Sequence, residues 1–250
     1  MSISSDKVDK TEQQASQHPE EATRALGGFK WMLRKLSYRT GSMSELEEKE
    51  FKEDFFKRKR MMDCKRCEEN KKWMLEYSPI VRFMVDHISK LGGNINEKTV
   101  VCEECTQFKA GGFHPELGIV LCQNFLPNQR KLEDTLAHEL VHAYDHCKFD
   151  VDWFNLRHHA CSEIRASTLS GECRIMNEFV RNGVFKLLSK DFDPKYLAFD
   201  KGLQACVKRR AAASVAAHPK CQDDVQAAKI VNEVFDSCFY DTRPFDDIYR

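Results

Sequence analysis

The chain has 250 residues, balances 39 basic against 39 acidic side chains, and is 42% hydrophobic. A balanced charge excludes a global field drawing it onto nucleic acid, and the apolar share suffices for one substantial folded body. No apolar run approaches the ~20 residues that span a bilayer, so any membrane contact is expected to be peripheral.

Residues 1–23 are polar and aperiodic and are expected to form a disordered tail. Asp6, Asp9, Glu12, Glu20 and Glu21, with no apolar stretch, match neither a secretory signal nor an Arg-rich transit peptide. In residues 24–39, Leu26, Phe29, Met32, Leu33 and Leu36 recur at helical spacing among Arg24, Lys30, Arg34, Lys35 and Arg39. Such a basic amphipathic helix either lies on an anionic membrane or packs on its own domain. The expected division is therefore a tail with a short basic segment over 1–43 and a single folded domain, including a helical C-terminal part, over 44–250.

Ser44 and Glu47 form a capping box that opens a charged helix running toward residue 62, with Phe51 and Phe55 as its buried stripe. Beyond Cys64-x-x-Cys67, Ser78 and Pro79 are N-cap and first residue of a helix over 79–91 that Gly92-Gly93 ends. Ile80, Phe83, Met84, His87, Ile88 and Leu91 share its face, and His87 there is expected to be a packing residue. Thr99-Val100-Val101-Cys102 and Gly118-Ile119-Val120-Leu121-Cys122 read as strands, with Gly111-Gly112 and His114-Pro115 marking turns. Past Pro127 the periodicity predicts helices over about 129–145, 157–180 (ending near Asn182-Gly183), 200–217 and 223–238.

The first of those helices carries the chemistry. His138-Glu139-Leu140-Val141-His142 sets two imidazoles one helical turn apart on one face, where both can reach a single zinc ion. Zinc activates water, and the carboxylate of Glu139 is placed to take its proton as a peptide carbonyl is attacked. Leu136, Ala137, Leu140, Val141, Ala143 and Tyr144 are uncharged, so the helix can be buried around its ligands, unlike a solvated helix bearing two chance histidines. A catalytic zinc needs a third protein ligand. A histidine six residues past His142 is ruled out, since Lys148 stands there. Glu163 is the choice, on the next helix among small Ala160, Ser162 and Ala166; His159, Asp145 and His146 are further candidates, and Asp145 could instead orient the His142 ring.

Eleven cysteines are many for a reducing compartment. Cys64-x-x-Cys67 with Cys102-x-x-Cys105 could form a four-thiolate zinc ribbon, but a whole predicted helix intervenes and seven cysteines would remain. Disulfide staples, each contributing about 2–4 kcal/mol, fit the spread better, and the odd count leaves one thiol over.

The stretches Glu133-Asp-Thr-Leu-Ala-His-Glu-Leu-Val-His-Ala-Tyr-Asp-His-Cys147, Arg157-His-His-Ala-Cys-Ser-Glu-Ile-Arg-Ala166 and Leu169-Ser-Gly-Glu-Cys173 resemble the family of mitochondrial inner-membrane metalloproteases that serve ATP synthase assembly. So do Gly118-Ile-Val-Leu-Cys-Gln-Asn124 and Arg243-Pro-Phe-Asp246, and the likeness runs from about residue 60 to the C-terminus. The resemblance implies an α+β, zincin-like metallopeptidase: a small antiparallel or mixed sheet, the His138–His142 helix, and a mainly helical, disulfide-stapled remainder. It implies zinc as cofactor, His138 and His142 as ligands and Glu139 as the catalytic carboxylate. It also implies peripheral attachment to the mitochondrial inner membrane from the intermembrane space. The substrate it implies is the precursor of ATP synthase subunit six, whose N-terminal propeptide such enzymes remove. A separate chaperone role in assembling that subunit is implied as well, so a mainly non-catalytic assembly factor is the alternative. A DNA-associated peptidase with a zinc ribbon would instead carry a basic face and reduced thiols, and the neutral balance speaks against it.

Overall fold

The computed structural model describes residues 28–173 and 199–248. The expected tail, Leu26, and the stretch from 174 to Asn182-Gly183 lie outside those residues. Contacts divide the chain into two compact units, Met1–Met62 and Asp63–Arg250.

In the first unit, α1 (Gly28–Arg39) precedes α2 (Glu45–Tyr77), which continues into the second. The capping box forms: Glu47 accepts from the Ser44 backbone N–H at 2.9 Å and from its hydroxyl at 2.8 Å. Phe51 is buried under Trp31 and Tyr38, while Phe55 stays partly exposed. The break expected after residue 62 does not occur. Residues 45–77 contain neither Gly nor Pro, and pairs such as Lys52–Glu48 and Lys71–Glu68, both 2.6 Å, carry the helix through Cys64-x-x-Cys67.

In the second unit, Ser78 caps α3 (Pro79–Lys90), accepting from the Val81 N–H, and His87 packs on Phe83 with Nδ1 2.9 Å from the Phe83 carbonyl. Three strands follow, β1 (Val100–Glu103), β2 (Gly111–His114) and β3 (Gly118–Cys122), in the order β1-β3-β2. β1 runs parallel to β3 and β2 antiparallel to it, so the sheet is mixed. Gly118 must be glycine: its φ is +87° and an added Cβ would lie 2.2 Å from the Thr99 carbonyl oxygen. β2 corrects the expectation of a turn at Gly111-Gly112, whereas the turn expected at His114-Pro115 forms over residues 115–117. Only glycine lets that backbone run so close over the next helix, so a turn signal here marks a close approach.

Among the described residues four more α-helices follow: α4 (Gln129–Lys148), α5 (Leu156–Leu169), α6 (Phe199–Ala216) and α7 (Asp224–Phe239). The fold is mixed α+β, mostly helical. α5 ends about eleven residues before its predicted limit of 180, because Gly171 at φ +84° turns the chain and Glu172 is drawn back toward α4.

Two cores result. One gathers Ile119, Leu121, Leu132, Leu136 and Leu140 between α3, the sheet and α4; the other gathers Ile164, Val207, Ala211, Ile230 and Phe235 between α5, α6 and α7. Disulfides staple both: Cys67–Cys102 and Cys105–Cys122 beside the sheet, Cys161–Cys238 and Cys173–Cys206 in the helical part. Three of the four ribbon cysteines are thereby paired as disulfides, and three thiols rather than one remain: Cys64, Cys147 and Cys221.

Candidate metal centre

α4 starts where the Asn128 side chain accepts from the Lys131 N–H at 2.8 Å. From Asp134 to Asp145 every residue is buried, as its uncharged frame predicts, with β2 and β3 on one side and α3 and α5 on others. His138 and His142 therefore face each other inside the protein, their Nε2 atoms 3.1 Å apart. α5 supplies Glu163, whose Oε2 lies 3.5 Å from His138 Nε2 and whose Oε1 lies 3.5 Å from His142 Nε2. The three donors are all buried and lie within 4.8 Å of one another.

The far sides of the rings decide what the near sides offer. His142 Nδ1 is 2.7 Å from Ser162 Oγ, and that hydroxyl gives its only proton to Asp145 Oδ2 at 2.9 Å. Ser162 must then accept from His142, which places the imidazole proton on Nδ1 and a lone pair on Nε2. His138 Nδ1 stands 3.1 Å from Glu172 Oε2, outside hydrogen-bond geometry, but the carboxylate charge on that side favours the proton on Nδ1 and leaves the lone pair on Nε2. Two lone pairs and a carboxylate thus converge, an arrangement that repels itself unless a cation sits between them. Around a tetrahedral zinc with bonds of ~2.0–2.1 Å, neighbouring donors stand about 3.3 Å apart. The observed 3.1, 3.5 and 3.5 Å bracket that spacing.

Electrostatics give the same demand. Burial opposes a charge on His138, yet Glu172 and Glu163 outweigh it and hold its pKa well above the ordinary value. Burial likewise opposes ionisation of Glu163, but His142 and His138 hold it well below the usual carboxylate range. Without a metal, a proton must fill the role of the cation.

Glu139 points into a cleft of about 810 Å³ that also exposes Gly111, Phe113, Trp153 and the three donors. Burial raises its pKa, with the imidazoles opposing. A Cβ on Gly111 would stand 3.1 Å from Glu139 Oε1, so the β2 backbone fixes where that carboxylate lies.

The other sequence candidates take different places. Asp145 orients His142 through Ser162 rather than directly, and is itself held by Arg165 Nε at 3.0 Å. His159 Nε2 lies 3.9 Å from Glu163 Oε1 and 3.2 Å from Ser214 Oγ, so it borders the cluster, and burial lowers its pKa. His146 packs its ring between Phe113 and Trp153. Five contributors were not foreseen. Ser162 and Glu172 face the histidines; Ser214 donates to Glu163 Oε1 at 2.7 Å; Arg210 and Lys131 (3.2 Å) anchor Glu172. Only a polar serine kept among small helix neighbours, and a glycine that stops α5 just before a glutamate, signalled any of them.

A cation-demanding cluster buried beside a glutamate, open to a cleft along a sheet edge, defines a metal-dependent protease, a hydrolase of peptide bonds. Within that class the chain belongs to the Peptidase M76 family, which it matches over residues 65–246. It is 53% identical to the mitochondrial inner membrane protease ATP23 of Yarrowia lipolytica, over 89% of this chain and 84% of that protein. The protein of that name from Debaryomyces hansenii is 51% identical over 90% and 91% of the two chains, and that from Saccharomyces cerevisiae 50% over 89% and 96%. No solved structure matches the chain.

Proposed function

We propose that the protein is a zinc endopeptidase of zincin-like fold in which His138, His142 and Glu163 hold the ion and Glu139 is the general base. The observation that carries this is the pair of Nε2 atoms 3.1 Å apart, with Ser162 behind one ring and Glu172 behind the other, each Nε2 lying 3.5 Å from one carboxylate. Zinc bound there would act as a Lewis acid on the scissile carbonyl and on water. Glu139 accepts the proton of the attacking water and returns it to the leaving amine. Glu172 and the Asp145–Ser162 pair keep the imidazoles in the metal-binding tautomer. β2, at the sheet edge, offers its outer backbone groups to an extended peptide lying along the cleft.

The substrate in this reading is the precursor of ATP synthase subunit six, trimmed of its N-terminal propeptide at the intermembrane-space face of the mitochondrial inner membrane. Support comes from the relatives' name, mitochondrial inner membrane protease, and from four disulfides, which belong to an oxidising compartment. Among the described residues no helix is long and apolar enough to cross a membrane, so attachment in this reading is peripheral.

Elemental analysis of the purified protein should find one zinc per chain, and Glu163→Ala should lose it. Glu139→Gln should keep the metal and leave the subunit six precursor uncut in a deletion strain. Normal processing by that variant would overturn the assigned chemistry.

A second reading adds assembly work that needs no proteolysis. Among the described residues of α6 and α7, only Arg210, Ala213 and Ser214 line the cleft, which leaves most of that helical pair outside the chemistry. ATP synthase assembly restored by Glu139→Gln supports this role, and failure to restore it removes the role.

A further inference from the structure

Among the described residues, the first unit leaves an apolar face of α1 uncovered. α1 turns Trp31, Arg34 and Tyr38 toward α2: Trp31 stacks on Phe51 at 5.1 Å, Tyr38 lies 4.9 Å from the same ring, and Arg34 pairs with Asp54 at 2.9 Å. Those positions, spaced three and four apart, form one side of the helix. Phe29, Met32, Leu33 and Leu36 form another, and they are 68, 60, 46 and 58% exposed. A helix packed for its own domain would bury that stripe; α1 buries no residue at all. Exposed Lys30, Lys35 and Arg39 border it, and α1 contains no acidic residue.

Charge is distributed to match. Residues 45–62 carry six acidic side chains (Glu45, Glu47, Glu48, Glu50, Glu53, Asp54) against six basic ones (Lys49, Lys52, Lys57, Arg58, Lys59, Arg60). Across the described part of the unit, the positive excess therefore resides on α1, in Lys30, Arg34, Lys35 and Arg39.

We propose that α1 docks the protein on an anionic bilayer surface, with Phe29, Met32, Leu33 and Leu36 in the acyl boundary and Lys30, Lys35 and Arg39 on headgroup phosphates. The proposal rests on the peripheral membrane association argued above and names the surface that provides it. A second copy fits the stripe poorly. Pairing two such helices would bring two sets of four cations together. A helix of 12 residues, about 18 Å long, also offers far less than the roughly 1,200 Å² that a stable dimer buries.

The test is flotation of the full chain with vesicles of phosphatidylcholine alone or doped with phosphatidylglycerol. Wild type is expected to float with the anionic vesicles and to release as salt rises. Lys30→Glu/Lys35→Glu/Arg39→Glu is expected to lower the partition coefficient on the order of a hundred-fold. Met32→Ser/Leu33→Ser/Leu36→Ser is expected to abolish binding even at low salt. Both variants change exposed positions, so melting temperature and cleavage of a soluble peptide should stay at wild-type levels, which separates this test from that of the peptidase reading. Variants that float like wild type overturn the assignment of α1 while leaving membrane association standing. Equal binding to neutral vesicles overturns the charge pairing. A wild-type dimer by sedimentation that the serine variant dissolves overturns the bilayer in favour of a second copy.

Discussion

The two cores of the catalytic unit hold their parts of one site by different means. The sheet-side core carries His138, Glu139 and His142 within five residues of a single helix, buried among Leu132, Leu136 and Leu140. The helical core delivers Glu163 and Ser214, 51 positions apart, and its margin brings Glu172 against Arg210, 38 apart. Local helix geometry makes the imidazole pair; only the correct packing of α5 on α4 and α6 adds the carboxylate and locks the rings. Metal binding should then depend on the stability of the helical core more steeply than on that of the sheet.

Removing staples one core at a time breaks the comparison most directly. Cys161→Ala/Cys238→Ala opens a connection across 77 positions and should cost about 4 kcal/mol; Cys105→Ala/Cys122→Ala opens one across 17 and should cost about 3 kcal/mol. Denaturant midpoints measure the difference. The first variant should also bind zinc more weakly than the second, since Cys161 is on the helix that presents Glu163. Equal zinc affinities would show that the cores do not divide the labour in this way.

Arg165 ties the helical half to the chain end, and its removal comes next in size. It is 2% exposed, bonds Asp145 through Nε, and donates to the carbonyls of Asp241 at 2.6 Å and Arg243 at 2.7 Å. Arg165→Met leaves the Asp145 carboxylate buried without its cation and should cost about 3 kcal/mol. Asp145→Asn in the same chain should recover part of that loss, and urea unfolding of the four proteins in the cycle reads the coupling.

How much of this was visible beforehand follows the same division. The capping box at Ser44, the cap at Ser78, β1 and β3, and the four helices after Pro127 were legible because each is set by neighbours in sequence. So was the pairing of His138 with His142. The continuity of α2 past residue 62 was missed although no helix breaker lies between residues 45 and 77. β2 was missed because Gly111 answers to α4 rather than to a turn. Ser214 leaves no local signal at all, and Glu172 only the glycine before it: both matter only after α4, α5 and α6 have met.

The residues behind the rings sharpen the comparison, one histidine each. Ser162→Ala removes the acceptor of His142 Nδ1–H, and Glu172→Gln removes the charge facing His138 Nδ1. Each should weaken zinc binding 10- to 100-fold, measured by competition with a chelator. Glu172→Gln also leaves Lys131 and Arg210 facing a neutral partner, so its effect should be the larger of the two.

The smallest effect probes the sheet-side contribution alone. At Gly111 an added Cβ would meet Thr135 Cγ2 and the Val120 carbonyl oxygen at 3.0 Å and Glu139 Oε1 at 3.1 Å, closer than such contacts comfortably allow. Backbone on one side cannot yield, so the Glu139 carboxylate must shift by a few tenths of an ångström. His138, His142 and Glu163 are not among those contacts, and zinc content should be unchanged in Gly111→Ala. A general base displaced by that little should lower kcat about ten-fold with little change in KM, since whole-ångström errors cost about a hundred-fold. Gly112→Ala is the matched control, for its Cβ would find only Lys109 Nζ, 3.9 Å away. If the two alanine variants turn over peptide equally fast, the close passage of β2 over Glu139 has no part in placing the base.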